Sequence, residues 1–350
     1  MTKNELLQSI QNDDTIENCI LRGLDLSNLD LTGVRFENVV FADVDFTSAK
    51  IVKTGFNQCS FENSSFERVD FGELFWHDMN VHFCSFRGAN LSKTNFNYMD
   101  FSGSDFTDAI LSQALFYESV FNKVNFHKTD CTKTTFSDSK IKDSVFLEDN
   151  LLSTTFFQTD MSGTKFINTN LRKCVLMECN LVEQNFSGMK LNMVQFNNSN
   201  LSGSNFNNAN ISQTNFIGCD LTSCTFNNTV ANNTIFTQAK LKAGRFVDAN
   251  LYQSNFGDAK IDGCDFSGAN IEQTYFVSAV IRDTIFKNAK AKYANLNYAS
   301  FENVFLRGAD LSHATMHKTE FKNTNLNEAD CFGVKKTDPD LAEAEEFKYE

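Results

Sequence analysis

Ten cysteines and five histidines are the residues of this 350-residue chain whose types could do chemistry. Thiolate and imidazole are the usual ligands of zinc, and a thiolate beside an imidazole is a nucleophile. Their spacing argues against both uses. No CxxC pair of zinc-ligand spacing occurs. His77 and His82 lie five apart, and His313 and His317 four apart. The second spacing could turn two rings to one metal on a helix, but neither pair has a convincing third ligand. No glycine-rich phosphate loop or nucleophile elbow is present. The sequence therefore assigns no catalytic residue, no metal ligand and no cofactor, and it does not read as an enzyme.

What positions these residues is a frame of five. From Leu21 the chain reads LRGLD LSNLD LTGVR FENVV FADVD FTSAK, and an apolar residue opens every five as far as Cys331. Phe fills 31 of these 63 centres. A period of five matches neither a helical stripe nor an alternating strand, so the chain must turn at every unit. Self-similarity at a fixed short period is the mark of a solenoid. Two residues before each centre stands a second inward position, mostly small, as at Ala49, Ala89, Ala209 and Thr284. Cys19, Cys59, Cys84, Cys174, Cys179, Cys219, Cys224 and Cys264 occupy it, while Cys131 and Cys331 are centres. All ten thiols are expected to point inward as small, reduced hydrophobes. The residue between the two inward positions is often Asp or Asn, which suits a turn.

FRGANL (86–91), FSGANI (266–271) and LRGADL (306–311) stand close to the A(D/N)Lxx unit of the pentapeptide-repeat proteins, which the chain resembles over about nine-tenths of its length. The resemblance implies an all-β fold, a right-handed quadrilateral β-helix with four pentads to a coil and about 16 coils. Short terminal helices are expected, giving a capping helix at 1–15, the solenoid at 16–334 and an acidic helix or tail at 335–350. Between Phe186 and Phe286 the centres alternate Phe with Leu, Ile or Ala, which places Phe on two opposite walls. The start, NELLQSIQNDDTIENCILRGLDLSNLDLTGVRF, is also similar to members associated with type VI secretion.

Several stretches depart from the frame. Thr2 and Glu5 form a capping-box pattern before Leu6, Leu7 and Ile10. Leu24 and Leu29 fill usually small positions, so the first coil is expected to be wider. In FGELFWHDMNVHFCSF (71–86), Leu74 and Met79 replace small residues, Trp76 and Val81 are unusual centres, and Phe75 and Phe83 point outward. That segment predicts a swollen core or a binding epitope. Asp149 occupies an inward position, a costly place for a carboxylate without a partner, and predicts a bulge near 149–152. Asp338-Pro339 reads as a helix start. Leu341 to Glu350, with Phe347 and Tyr349, then forms either a cap or a docking tail.

Composition narrows the function. A net charge of −13 opposes direct binding to nucleic acid phosphates. No apolar run is long enough for a membrane span, and the N-terminus has no apolar leader, so a cytoplasmic protein is expected. With four pentads per coil, residues 20 apart share a face. The face centred on 76, 96, 116 and so on to 316 carries Phe75, Tyr98, Leu115, Tyr117, Phe157, Val175, Met177, Ile217, Ile235, Tyr275, Val277 and Tyr298, with no outward Lys or Arg between Gly55 and Tyr298. The neighbouring face is studded instead with Lys140, Lys142, Lys240, Lys242 and Lys260. An apolar, charge-poor strip is a candidate protein-docking surface. Its expected occupant is a protein partner or a second copy of the chain. The secretion resemblance implies an adaptor or chaperone that helps load a toxin or spike component. The family resemblance also implies an alternative, a DNA mimic acting on a type II topoisomerase (gyrase), which the acidic charge favours.

Overall fold

Each pentad does build one short straight segment and one turn, and the turns follow from three side-chain positions. The Asx residue before each centre accepts from the backbone two residues on, as Asp45 Oδ1 does from Thr47 N–H at 2.8 Å and Asp310 Oδ1 from Ser312 N–H at 2.9 Å. The residue two after the centre takes a left-handed conformation even when bulky, with φ of 58° at Tyr98 and 62° at Met193. The small inward side chains tie successive coils together. Thr134 Oγ1 donates to Leu111 C=O and Thr214 Oγ1 to Leu191 C=O, both at 2.7 Å. Ser104 and Ser144 accept from the amides of Cys84 and Val124 in the preceding coil.

The computed structural model of the chain describes residues 1–72 and 74–346. It is a parallel β-solenoid of about 15 turns with two short helices, close to the expected 16. Two compact units comprise it, Met1–Val175 and Leu176–Glu350.

The first unit opens on helix α1 (Lys3–Gln11), held by the reciprocal Thr2–Glu5 capping box. Leu6 is fully buried beneath it, and Lys3 reaches Asp25 at 3.6 Å. Strands β1 (Ile16–Arg22), β2 (Arg35–Ala42), β3 (Gly55–Asn57), β4 (Ser60–Glu62), β5 (Phe75–His77), β6 (Asn80–His82), β7 (Asn95–Asn97), β8 (Leu115–Tyr117) and β9 (Thr135–Ser137) follow. All pair in parallel with a register of 20, as in Phe96↔Phe116 and Phe116↔Phe136. Leu24 and Leu29 remain half-exposed in the first coil.

One wall of this unit is interrupted. Among the described residues β3 pairs only with β2, and β5 only with β7. Elsewhere on this wall the rings stack nearly parallel, Phe36 on Phe56 at 6° and Phe116 on Phe136 at 11°. Trp76 instead meets Phe56 edge-on at 70° and Phe96 at 75°, and stacks flat on Phe61 of the adjacent wall. The irregularity expected at 71–86 is thus a break in the sheet. The bulge expected near 149–152 is not there. Asn150 keeps its regular bridges to Asp130 and Asn170, and Asp149 is buried in place of a serine, accepting from Thr129 N–H at 2.5 Å.

In the second unit Phe centres form two stacks, 186-206-226-246-266-286 and 196-216-236-256-276, that meet edge-on across the core. This is the alternation of walls read from the sequence. Lys240–Lys242, Lys260–Asp262, Val280–Arg282, Ser300–Glu302 and Glu320–Lys322 pair in succession. Helix α2 (Pro339–Glu346) closes the described chain, capped by Asp338 Oδ1, which accepts from the amides of Asp340 and Leu341. Phe347 and Tyr349 lie outside the described residues.

Candidate functional site

The face singled out in the sequence is one continuous ladder within the first unit. β5, β7, β8, β9 and Thr155–Phe157 pair in that order. Their outward side chains form two rows: Phe75, Asn95, Leu115, Thr135, Thr155 and His77, Asn97, Tyr117, Ser137, Phe157. Phe75 is 60% exposed, Tyr98 44% and Leu115 39%. Tyr117, Phe157 and Val175 are half-buried. Tyr98 stands at a corner, where its left-handed backbone turns it back over the strands.

These residues are not evenly spread. Phe75 and His77 stack with centroids 6.1 Å apart, His77 meets Tyr98 at 5.2 Å and Tyr98 meets Tyr117 at 5.7 Å. The result is an unbroken aromatic cluster on the surface. Beside it Glu118 pushes the Tyr117 phenol up to about 12, so the ring keeps its proton and its donor. Phe157 is separated from Tyr117 by Ser137 along the row. His77 was visible in the sequence only as half of an unconvincing metal pair. Its place in the same row as Tyr117 is the signal that identifies its role.

In the second unit Ile235, Asn255, Tyr275 and Asn295 form one row. Ile217 and Val277 occupy the positions after their centres, as Met177 does. Tyr275 is 49% exposed, while Met177, Ile217, Ile235 and Val277 are half-buried. Tyr298 has a partner that the sequence did not reveal. Its hydroxyl donates to Glu345 of α2, whose carboxylate also lies 3.0 Å from Lys318 Nζ and 3.2 Å from His317 Nε2. Tyr298, Lys318 and His317 together hold the Glu345 carboxyl down at about 2. The Asp338 amide donates to His317 Nδ1 at 3.2 Å, and Lys318 Nζ to Ala342 C=O at 3.3 Å. The helix is thus held against Tyr298, His317 and Lys318 on this face.

The groups with chemical potential are elsewhere and muted. Eight cysteines are buried, whereas Cys19 and Cys331 are partly exposed, correcting the expectation that all ten point fully inward. Both lie in terminal coils, with less protein around them. Burial pushes the Cys84, Cys174, Cys219 and Cys224 thiols up to about 12, the opposite of what a nucleophile needs. His313 stacks on Tyr293, and His317 is buried against α2. Among the described residues no cluster of His, Cys, Asp or Glu could hold a metal, and no helix is long and apolar enough to cross a membrane.

A family model described as pentapeptide repeats (8 copies) matches residues 19–58, 84–122, 155–192, 179–218 and 292–330. A second, described as a pentapeptide repeat region, matches 209–286. No curated protein matches the chain. Among solved structures, HetL, a pentapeptide repeat protein involved in heterocyst differentiation regulation from the cyanobacterium Nostoc sp. strain PCC 7120, is 16% identical. The alignment covers 79% of this chain and 97% of HetL, with a TM-score of 0.29. Rfr23 from the cyanobacterium Cyanothece 51142 is 23% identical over 33% of this chain and 89% of its own, with a TM-score of 0.28. QnrB1, a plasmid-mediated fluoroquinolone resistance protein, is 14% identical over 81% of this chain and 92% of its own, with a TM-score of 0.20.

Proposed function

The chain belongs to the pentapeptide-repeat family, and on that premise we propose that it is a non-enzymatic scaffold that docks a protein partner on the face bearing Phe75, His77, Tyr98 and Tyr117. The observation that carries this reading is the unbroken exposed aromatic cluster on a face without outward Lys or Arg between Gly55 and Tyr298. Interface cores differ from ordinary surface by aromatic enrichment and charge depletion, and Tyr is prominent among hot-spot residues. Ile217, Ile235, Tyr275 and Val277 repeat the same composition in the second unit. A toxin or spike component of a secretion apparatus is the partner that the N-terminal resemblance favours.

Affinity capture from the source cell's lysate tests this. The wild-type chain is expected to retain a partner that a Phe75→Lys/Tyr98→Lys/Tyr117→Lys variant releases. Equal capture by both would overturn the reading. The acidic net charge favours DNA mimicry as a second reading. Against it stands the row Lys242, Asp262, Arg282, Glu302, Lys322, which alternates in sign from coil to coil. Arg282 and Lys322 both pair with Glu302. A duplex mimic needs an unbroken run of negative charge, so no inhibition of gyrase supercoiling is expected at micromolar protein.

A further inference from the structure

We propose that the interruption between β3 and β5 is a binding site for an extended peptide segment of a partner protein. The inference rests on the scaffold reading and names the chemistry of what docks. Phe56 and Gln58 N–H should donate to Phe75 and His77 C=O, as Tyr98 N–H does to Tyr117 C=O at 2.9 Å. Likewise, Phe75 N–H should donate to Thr54 C=O, as Asn95 N–H does to Leu74 C=O at 3.0 Å. Among the described residues neither the Gln58-to-His77 nor the Phe75-to-Thr54 bond forms, and β3 and β5 do not pair. The Gln58 and Phe75 amides are therefore left without their ladder acceptors at this break. Leaving such backbone groups unsatisfied is costly, and another backbone is their natural complement.

Three further observations point to a ligand. Thr54 to Gln58 and Phe75 to Met79 line a cavity of 390 Å³, within the range of peptide and small-ligand sites. Trp76 lines it as well, only 4% exposed, with its indole N–H buried and without an acceptor among the described residues. A Cβ added at Gly55 would meet nothing within 4 Å, so the β3 side is open space. The exposed ring of Phe75 forms one lip and begins the aromatic cluster. A peptide lying along the break would satisfy the ladder groups with its amides and rest an apolar side chain on Phe75. Asp78 lines the cavity and no Lys or Arg does, so an uncharged or basic segment fits better than an acidic one.

The test pans a linear random heptapeptide phage library on the full chain and measures synthetic versions of the enriched peptides. Trp76 is the only tryptophan, so its emission reports occupancy directly. Without peptide, the Gln58 amide is expected to exchange about tenfold faster or more than the paired Tyr98 amide, and peptide is expected to slow it. Gly55→Val fills the opening without touching the core and should weaken binding about tenfold or more. Trp76→Phe restores the ring found at neighbouring centres on this wall and should close the ladder, protecting the Gln58 amide. The proposal is overturned if Gln58 is as protected as Tyr98 in the wild type, or if peptides bind the Gly55→Val chain equally well. It also falls if the break is occupied by a second copy, seen as concentration-dependent loss of peptide binding. Lysate capture by Gly55→Val that matches wild type, alongside loss in the Lys triple variant, would sink this inference while leaving the scaffold reading intact.

Discussion

In the second unit Phe206, Phe226, Phe246 and Phe266 stack with centroids 4.8, 4.6 and 4.6 Å apart and planes within 6° of parallel. In the first, Phe56 and Trp76 lie 5.4 Å apart at 70°, and Trp76 and Phe96 lie 5.8 Å apart at 75°. Flat rings repeat at the spacing of adjacent strands, about 4.8 Å, so ring stack and backbone ladder reinforce each other. The ladder opens on the Phe56 side of this edge-on indole and stays closed on the Phe96 side, where β5 pairs with β7. The terminal helices differ too. α1 buries Leu6, whereas α2 buries no residue and is held by polar contacts at Glu345. Regularity is therefore a property of each coil, and local irregularities can be tolerated because each repeat leans only on its neighbours.

The largest expected difference comes from breaking the two stacks in the same assay. Phe226→Ala removes a ring from a fully packed stack and should cost about 3–5 kcal/mol, read from the urea midpoint. Trp76→Phe should stay within about 1 kcal/mol of wild type, because lost indole contacts are offset by a closed ladder. Similar losses for both would mean that the indole is an ordinary core member and that the ladder opens for another reason.

Asp149 sharpens the comparison in the dimension of pH. Its Oδ2 is buried with no partner among the described residues, and burial pushes the carboxyl from 3.8 up to about 8. The folded chain thus retains a proton that the unfolded chain releases. Stability is fully present below pH ~4, falls as pH rises through the window to ~8, and is level above it. Asp149→Ser restores the side chain found at Ser104 and Ser144 and should remove this slope. Its gain over wild type is expected to vanish at pH 4 and to reach a few kcal/mol at pH 8. Parallel stability profiles for the two proteins would show that the carboxylate finds a compensating partner.

The residues show why the sequence revealed the solenoid and only part of its surface. The frame, the inward thiols and the alternating Phe walls depend on positions five, ten and twenty apart, and a fixed period carries that information directly. Thiol titration of the native chain should accordingly find Cys19 and Cys331 reactive and the eight buried thiols slow. The sequence also marked 71–86 as irregular, because Trp76 and Leu74 break the pattern. It could not say that the ladder would part there, on the Phe56 side of Trp76 and not on the Phe96 side. Asp149 misled for a related reason. A carboxyl that keeps its proton can replace a serine at a ladder position, so no bulge is required. The pairing of Tyr298 with Glu345 spans 47 residues. It depends on where the chain leaves the last coil, which no periodicity encodes.

The smallest expected effect is at α2, and it runs opposite in pH to Asp149. With the Glu345 carboxyl held from 4.5 down to about 2, the contacts to Tyr298, Lys318 and His317 are complete above pH ~4.5 and lost as pH falls through ~2. The Glu345–Lys318 ion pair lies at the surface, where such pairs contribute little to global stability and weaken with salt. Glu345→Gln should therefore leave the unfolding midpoint unchanged while the amides of Leu341 and Ala342 lose protection at pH 7. High salt should have the same effect on the wild type. If the helix stays protected in the variant, its attachment rests instead on the backbone contacts from Asp338 to His317 and from Lys318 to Ala342. α2 would then be as firmly built into its unit as α1 is, despite burying no side chain.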